Sequence, residues 1–247
     1  MLPEGFYSKL GTHKQPLDKL DKFRVALAIF KYYQIKNFLD IGCGRGDFAL
    51  RVAQSNKLPE VYGVDISSKL TAIARKQGVI ASRHNIDKKN LPFKADSFDG
   101  IFCGEVIEHL YDPDHLLTEI RRLLSEKGVC VLTTPNLSSW YNRIALLLGY
   151  QPFFAESSTK HSVGQMFPLG AGSGHIRVGT YRALVNLFAI YNFKIVKVFG
   201  FGVNEKLGLG KKYRIIIKPI NFLLKKFPSI SSDLMFVLKK VICLAEK

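Results

Sequence analysis

Three carboxylates, Asp40, Asp65 and Asp87, each stand where a short apolar run gives way to a turn, and Gly42, Gly44 and Gly46 follow the first at once. Glycines at that spacing let the backbone take conformations closed to other residues and let a ligand come close to the chain. A carboxylate just before such a turn suits a cationic group and not the pyrophosphate of a dinucleotide. A ligand carrying an ammonium group is therefore indicated. Asp65 closes Val61-Tyr62-Gly63-Val64-Asp65 and is placed to accept hydrogen bonds from both hydroxyls of a ribose. Asp87, in Asn85-Ile86-Asp87, is placed to accept from an adenine amino group.

The elements that must position these residues follow from periodicity. Leu20, Phe23, Leu27 and Phe30 recur at helical spacing and predict a first helix over about 17–33. Strands are expected over 36–41, 61–64, 79–84, 98–103 and 129–133. Helices are expected over 48–54, over 67–77 with Ser67 or Ser68 as cap, and over 114–124, closed by Gly128. Such alternation demands an α/β doubly wound sheet, mostly parallel, with helices on both faces and its ligand at the carboxyl ends of the strands. Past Pro135 a helix opens at Ser138-Ser139-Trp140, and its stripe of Trp140, Tyr141, Ile144 and Leu148 reads as core packing. The Gly/Ser/Pro-rich run 151–174 reads as an active-site cover. A helix capped by Thr180, a strand over 193–199 and a final strand over 234–241 complete the chain.

The ordered set DIGCGRG, GVDIS, Asp87 with Leu91-Pro92-Phe93, Ser97-Phe98-Asp99 and GEVIEHLYDP resembles the class I S-adenosylmethionine-dependent methyltransferases over roughly residues 35 to 200. Within that group it is similar to the ubiquinone-biosynthesis O-methyltransferase type. The resemblance implies seven strands in the order 3-2-1-4-5-7-6, the last antiparallel, and S-adenosyl-L-methionine as cofactor. It further implies that Asp40, Gly42, Cys43 and Gly44 hold the amino acid end, Asp65 the ribose, and Ile66 and Asp87 the adenine. Gly104 and Glu105 fall beside the methionine part and the acceptor. An NAD-type site fits less well. Asp47 stands where the third glycine of G-x-G-x-x-G would be, counted from Gly42, and Asp40 would face a pyrophosphate of like charge.

Methyl transfer from a sulfonium is an in-line displacement that rests on alignment, with a base where the nucleophile is weakly acidic. His109 is the first choice for that base, because imidazole titrates near neutrality, and His175 is the second. His161 and His115 carry weaker claims, His115 being expected to face solvent. If Glu105-Val106-Ile107-Glu108-His109 is helical, its three polar side chains share a face, as a divalent metal site would need. Carboxylates at a cofactor cleft more often orient groups, and no metal is expected.

At 247 residues and 47% apolar content the chain suits one large domain, 1–247, elaborated by a cover at about 137–175 and a basic apolar insertion at about 206–230. No apolar run is long enough to suggest a spanning helix, and the start lacks a signal-peptide pattern, so a cytoplasmic protein is expected. Cys43, Cys103, Cys130 and Cys243 show no C-x-x-C spacing and read as reduced, small apolar residues.

The net charge of +16 is uneven, with ten Lys/Arg against two acids over 206–247, and implies an anionic partner. Apolar clusters alternating with lysines over 213–227 suit either an anionic membrane surface on the inner face, and hence a lipid-linked or small apolar acceptor, or a lid helix packed on the domain's own core. Methyl transfer to oxygen of such an acceptor is the leading reading. An RNA methyltransferase is the alternative, although Thr134-Pro135-Asn136 is not the N-P-P-Y element of base N-methylation and nucleic acid is the less favoured partner. A non-catalytic cofactor-binding subunit is the third. Nothing in the sequence indicates an oligomeric state.

Overall fold

A computed structural model describes residues 21–158, 160, 161, 163–166, 174–202 and 226–241. Helix α1 (Asp21–Tyr33) leads into β1 (Phe38–Ile41), α2 (Asp47–Asn56), β2 (Tyr62–Asp65), α3 (Ser68–Lys76) and β3 (Ile80–Arg83). Then come β4 (Phe98–Gly104), α4 (Pro113–Leu123), β5 (Leu124–Pro135), α5 (Trp140–Leu147), α6 (Tyr181–Ile190), β6 (Phe193–Phe201) and β7 (Asp233–Lys240). The seven strands lie in the order β3-β2-β1-β4-β5-β7-β6. The first five run parallel, and β7 is antiparallel to both β5 and β6. The doubly wound arrangement expected from the sequence is thus the one found.

Local chemistry sets the helix starts. Ser67 accepts from the Leu70 amide at 3.3 Å, Asp112 from the His115 amide at 2.9 Å, and Thr180 from the Ala183 amide at 3.2 Å. Each such cap is worth about 1 kcal/mol. In the central strands neighbouring residues point to opposite faces, yet both faces are apolar because helices cover each. Leu39, Ile41, Ile101, Cys103 and Leu132 pack on the side of α4 and α6. Phe38, Phe102, Val129 and Val131 pack with Phe30 and Phe48 on the side of α1 and α2. There the Phe48 and Phe102 rings lie 4.2 Å apart and the Phe30 and Phe38 rings 5.0 Å. Asp40 shares the parity of Phe38 and Phe102 in the paired strands, so a carboxylate enters this aromatic face.

Three expectations change. Strand β5 begins at Leu124 and not at 129, directly after α4. Leu124 is fully buried and pairs with Phe98, and an irregularity in register before Gly100 absorbs the extra residues, so Gly128 lies inside the strand instead of closing a helix. Helix α5 presents a polar residue inward: Asn142 and Ala145 are buried, while Ile144, Leu147 and Leu148 are exposed. Of the expected stripe, Trp140 and Tyr141 are half-buried, with Tyr141 against Phe153, but Ile144 and Leu148 face outward, so only its first part packs inward. The reason is that the Asn142 amide makes paired bonds with the Phe153 backbone, accepting from its N–H at 2.8 Å and donating to its carbonyl at 3.2 Å. His115, expected to face solvent, has its Nε2 buried with no hydrogen-bond partner among the described residues.

Between Leu148 and Gly179, in the expected cover, the described residues form neither helix nor strand. Positions 159, 162 and 167–173 of that cover lie outside the described residues, as do 203–225, which hold most of the basic insertion, and 242–247, which hold Cys243. Cys43, Cys103 and Cys130 are free and buried. No helix among the described residues is long and apolar enough to cross a membrane.

Candidate functional site

The carboxyl ends of β1 and β2 build one half of the site. The Gly42 and Cys43 amides both donate to the Val64 carbonyl, at 2.8 and 3.0 Å, folding the glycine turn back over β2. Gly42 has φ 78°, and a Cβ there would collide with Val106. Gly44 has φ 53°, and a Cβ there would meet nothing within 4 Å. One glycine is thus required by packing, while the other borders open space where a ligand can approach the backbone. Asp65 is oriented by two amides, Gly44 at 2.9 Å and Ser67 at 2.8 Å, one on each carboxylate oxygen. Each oxygen has a further lone pair for a hydroxyl donor.

Asp40 is almost fully buried, and burial together with the nearby Asp65 pushes its pKa up to about 8. A buried acid beside another acid is the environment that an incoming cation relieves. Burial likewise raises the Asp65 carboxyl, against the pull of the Ser67 and Gly44 amides. Ile66 is half-buried beyond Asp65, its carbonyl accepting from Arg83 Nε at 3.2 Å. Asp87 accepts from the Asp112 amide at 3.1 Å, which ties it to the start of α4. Asp40, the glycine turn, Asp65 and Ile66 thus follow the ends of two adjacent strands, with Asp87 past the end of β3. The set fits a ligand that offers a cation, a diol and an amino group in that order.

The other half follows β4 and β5. Gly104 pairs with Thr133 in register, and Glu105 then turns into the left-handed region with φ 56°. Its amide donates to the Thr133 carbonyl at 2.9 Å, and its carboxylate accepts from Thr133 Oγ1 at 2.7 Å. Lys22 of α1 completes the arrangement, with Nζ 3.0 Å from the same carboxylate oxygen. Burial opposes ionisation of Glu105, but Lys22 and Thr133 hold it below the usual carboxylate range. The Lys22 ammonium is in turn held charged, against burial, chiefly by Glu105 and Asp233. Asp233, at the start of β7, is raised to about 6 by burial, with Lys22 opposing.

After Glu105 only a single 3-10 turn forms, Ile107–His109, so the shared helical face expected for Glu105, Glu108 and His109 does not exist. The structure groups different side chains. Ligand atoms of Glu108, His109 and His175 lie within 4.8 Å of one another. Glu108 is fully buried. One oxygen accepts from Thr134 Oγ1 at 3.1 Å, and the other has no hydrogen-bond partner among the described residues. Burial and the neighbouring Glu105 hold its carboxyl well above the usual range.

The Glu108 carbonyl accepts from the Ile176 and Arg177 amides, at 2.7 and 3.0 Å, which draws residues 174–177 over the turn. His109 and His175, far apart in sequence, thereby stand with ring centroids 4.8 Å apart. His109 Nδ1 lies 3.1 Å from the Gly174 carbonyl, and His175 Nδ1 3.2 Å from the Phe154 carbonyl. A carbonyl only accepts, so each ring carries its proton on Nδ1 and presents Nε2 as its basic nitrogen. Burial lowers the His109 pKa, and burial together with His109 brings His175 down to about 4. Both rings are neutral at pH 7. Such a pair can take a proton, or with Glu108 supply ligands to a divalent metal.

Sequence reasoning named Asp40, Asp65, Asp87, Glu105, Glu108 and both histidines but missed Lys22 and Asp233. A signal for Lys22 was present, since it lies four and eight residues before Ala26 and Phe30 and so on the buried stripe of α1. His161, the other weaker candidate, is exposed, and its described bond is from its amide to Ser158 Oγ at 3.2 Å.

A family described as a methyltransferase domain matches residues 13–198. Over 113 residues the sequence is 32% identical to the mitochondrial ubiquinone biosynthesis O-methyltransferase of Saccharomyces cerevisiae, covering 43% of this chain and 36% of that protein. Over 142 residues it is 30% identical to the demethylmenaquinone methyltransferase of Listeria monocytogenes, covering 51% of this chain and 59% of the relative. The match thus spans less than two thirds of either relative's length. A crystal structure of an S-adenosylmethionine-dependent methyltransferase from Mesorhizobium loti superposes with a TM-score of 0.59, over 91% of this chain and 100% of that one. At 19% identity that likeness is one of fold.

Proposed function

The chain belongs to the methyltransferase-domain family, and on that premise we propose that it transfers the methyl group of S-adenosylmethionine to an oxygen of a small or lipid-like acceptor. The observation that carries this reading is the neutral His109–His175 pair, each ring basic at Nε2, next to Gly104 and Glu105 at the carboxyl end of β4. The bound cofactor supplies an electrophilic methyl group on a sulfonium. Asp40 and the Gly42–Gly44 turn bind its amino acid end, Asp65 its ribose, and Ile66 and Asp87 its adenine. His109 Nε2 takes the proton that an acceptor hydroxyl loses, and His175 is the second basic nitrogen. Burial favours this division, because it disfavours two imidazolium rings side by side.

The names of both curated relatives carry a quinone, and a phenolic or quinol-like acceptor therefore heads the candidates. Screening phenolic, quinone-like, sugar and lipid acceptors with labelled methyl donor, in the parent and in His109→Ala, tests the reading. The expected result is labelled methyl on a phenolic oxygen, with turnover reduced in the variant. No step is assigned to a metal. Activity that is lost with chelator and regained with a divalent ion would instead make Glu108, His109 and His175 ligands.

The charge of 36 Lys/Arg against 20 Asp/Glu keeps an RNA substrate as the second reading. Against it, Asn136 is engaged elsewhere. Its amide donates to the Ser231 carbonyl at 2.8 Å and the Ser229 carbonyl at 3.2 Å, so it is not offered to a base. Labelled methyl on RNA in the same screen would reverse the order. A subunit that binds cofactor without turnover is the third reading, and labelling of any acceptor excludes it.

A further inference from the structure

We propose that the outward face of α5 seats the protein on an anionic membrane surface. The inference goes beyond the methyl-transfer reading and does not depend on which atom is methylated. Leu147 is 85% exposed, Leu148 59%, Leu146 58% and Ile144 44%, with Tyr150 at 44% just beyond the helix. Apolar side chains dominate the solvent face of a helix whose buried residues are Asn142 and Ala145.

The helix cannot roll to hide them. Asn142 is fixed to both polar groups of the Phe153 backbone, Tyr141 OH lies 2.9 Å from Ser232 Oγ, and Arg143 Nε donates to the Ser138 carbonyl at 2.8 Å. A rigidly held amphipathic helix with its apolar side outward matches the boundary between lipid headgroups and acyl chains.

Charge selects the partner. Arg143 is exposed on α5 itself, and Ser138 Oγ donates to the Ser229 carbonyl at 3.0 Å, bringing the segment that begins with exposed Lys226 and Phe227 alongside the helix start. In sequence, Lys226 ends a basic run that holds Lys206, Lys211, Lys212, Arg214, Lys218 and Lys225. Arg143 on the helix, with Lys226 in the segment alongside its start, adds positive charge to a face of four exposed aliphatic side chains, which complements anionic headgroups over an apolar layer. A nucleic acid would gain nothing from the aliphatic chains, since they offer neither hydrogen bonds nor stacking faces. Helix α5 also begins five residues after Pro135, at the strand ends that carry Thr133 and Thr134 of the site. A membrane-dissolved acceptor would thus be presented at the edge of the cleft.

The test is sedimentation of the full chain with vesicles of phosphatidylglycerol and phosphatidylcholine, and of phosphatidylcholine alone, at low and high salt. The expected result is binding to the anionic vesicles only, weakened by salt. The double variant Leu147→Asp with Leu148→Asp should lower vesicle affinity about tenfold or more. It should leave S-adenosylhomocysteine binding and methylation of a water-soluble acceptor unchanged, which separates membrane seating from methyl transfer. No binding of the intact chain to anionic vesicles overturns the proposal. So does a double variant that binds vesicles like the parent, or one that converts a dimer to a monomer in sedimentation velocity, because the face would then join two copies. Tight binding of structured RNA without vesicle binding overturns it as well.

Discussion

The Lys22 ammonium lies 3.0 Å from the Glu105 carboxylate, so α1 is ionically tied to the residue that follows β4. Lys22→Met would leave Glu105 without its cation, next to a Glu108 whose carboxyl is raised well above the usual range by burial and by Glu105 itself. We expect a stability loss of about 2 kcal/mol, less than for a fully dry pair because both side chains keep some exposure. Adding Glu105→Gln should restore part of it. Equilibrium denaturation of the single and double variants measures the coupling.

On the proposed reading, in which Asp40 meets the ammonium group of the cofactor, this residue sets cofactor affinity against stability. Below its ordinary value of 3.8 the carboxyl is protonated in both folded and unfolded chains and contributes nothing. Between 3.8 and about 8 the unfolded chain gives up the proton while the folded one keeps it, so stability falls as pH rises, with the full cost present above about 8. Asp40→Asn should therefore stabilise the free protein at pH 8, by about 1 kcal/mol or more, while weakening S-adenosylhomocysteine. Parent affinity should rise with pH toward 8 and the variant's should be flat over that range. Denaturation and calorimetry from about two units below that value to just above it check both signs.

On the proposed cofactor reading, Asp65→Ala removes the acceptor for both ribose hydroxyls, and it also releases the Gly44 amide that shapes the turn. A loss of about 2 kcal/mol in cofactor affinity is expected. Calorimetry with S-adenosylhomocysteine on a variant verified as folded reads it directly. Unchanged affinity would place Asp65 outside the site.

Because His109 is held below 6.5 and His175 near 4, the acid limb of the kcat/KM profile should fall below pH 6.5. His109→Ala should lower kcat with cofactor affinity nearly intact, as when an interaction acts mainly in the transition state. Steady-state kinetics from mildly acid to mildly alkaline pH tests both statements. A limb centred above 6.5 would assign the proton to another group.

The sheet order was legible, and so was the placement of Asp40, Asp65 and Asp87 past the strand ends, because each rests on a short local pattern, a strand followed at once by glycines or by an acid. The pairing of His109 with His175 was not, since it depends on the Glu108 carbonyl drawing Ile176 and Arg177 across the turn. Backbone bonds between distant segments leave no trace in side-chain spacing. Helix α5 misled for a different reason. Ile144 and Leu148 continue the period begun by Trp140 and Tyr141, and the bonds of Asn142 to Phe153 and of Tyr141 to Ser232 decide which side faces inward. Lys22 lay on the buried stripe of α1, but its partner Glu105 is more than eighty residues away in a left-handed conformation that no residue type announces.

The position of β7 has a consequence for the order of events during synthesis. It is the last in sequence of the described strands, yet it has a neighbour on each side, β5 through Cys130–Pro135 and β6 through Phe193–Phe201. Until residues 233–240 leave the ribosome, β6 has no strand to pair with and β5 keeps an open edge. The nascent chain therefore waits with an exposed apolar seam, which Leu234, Phe236 and Leu238 fill from one side and Met235 and Val237 from the other. Assembly of this sheet finishes in its interior and not at its rim, so a ribosome stalled before residue 233 would hold a chain unable to close.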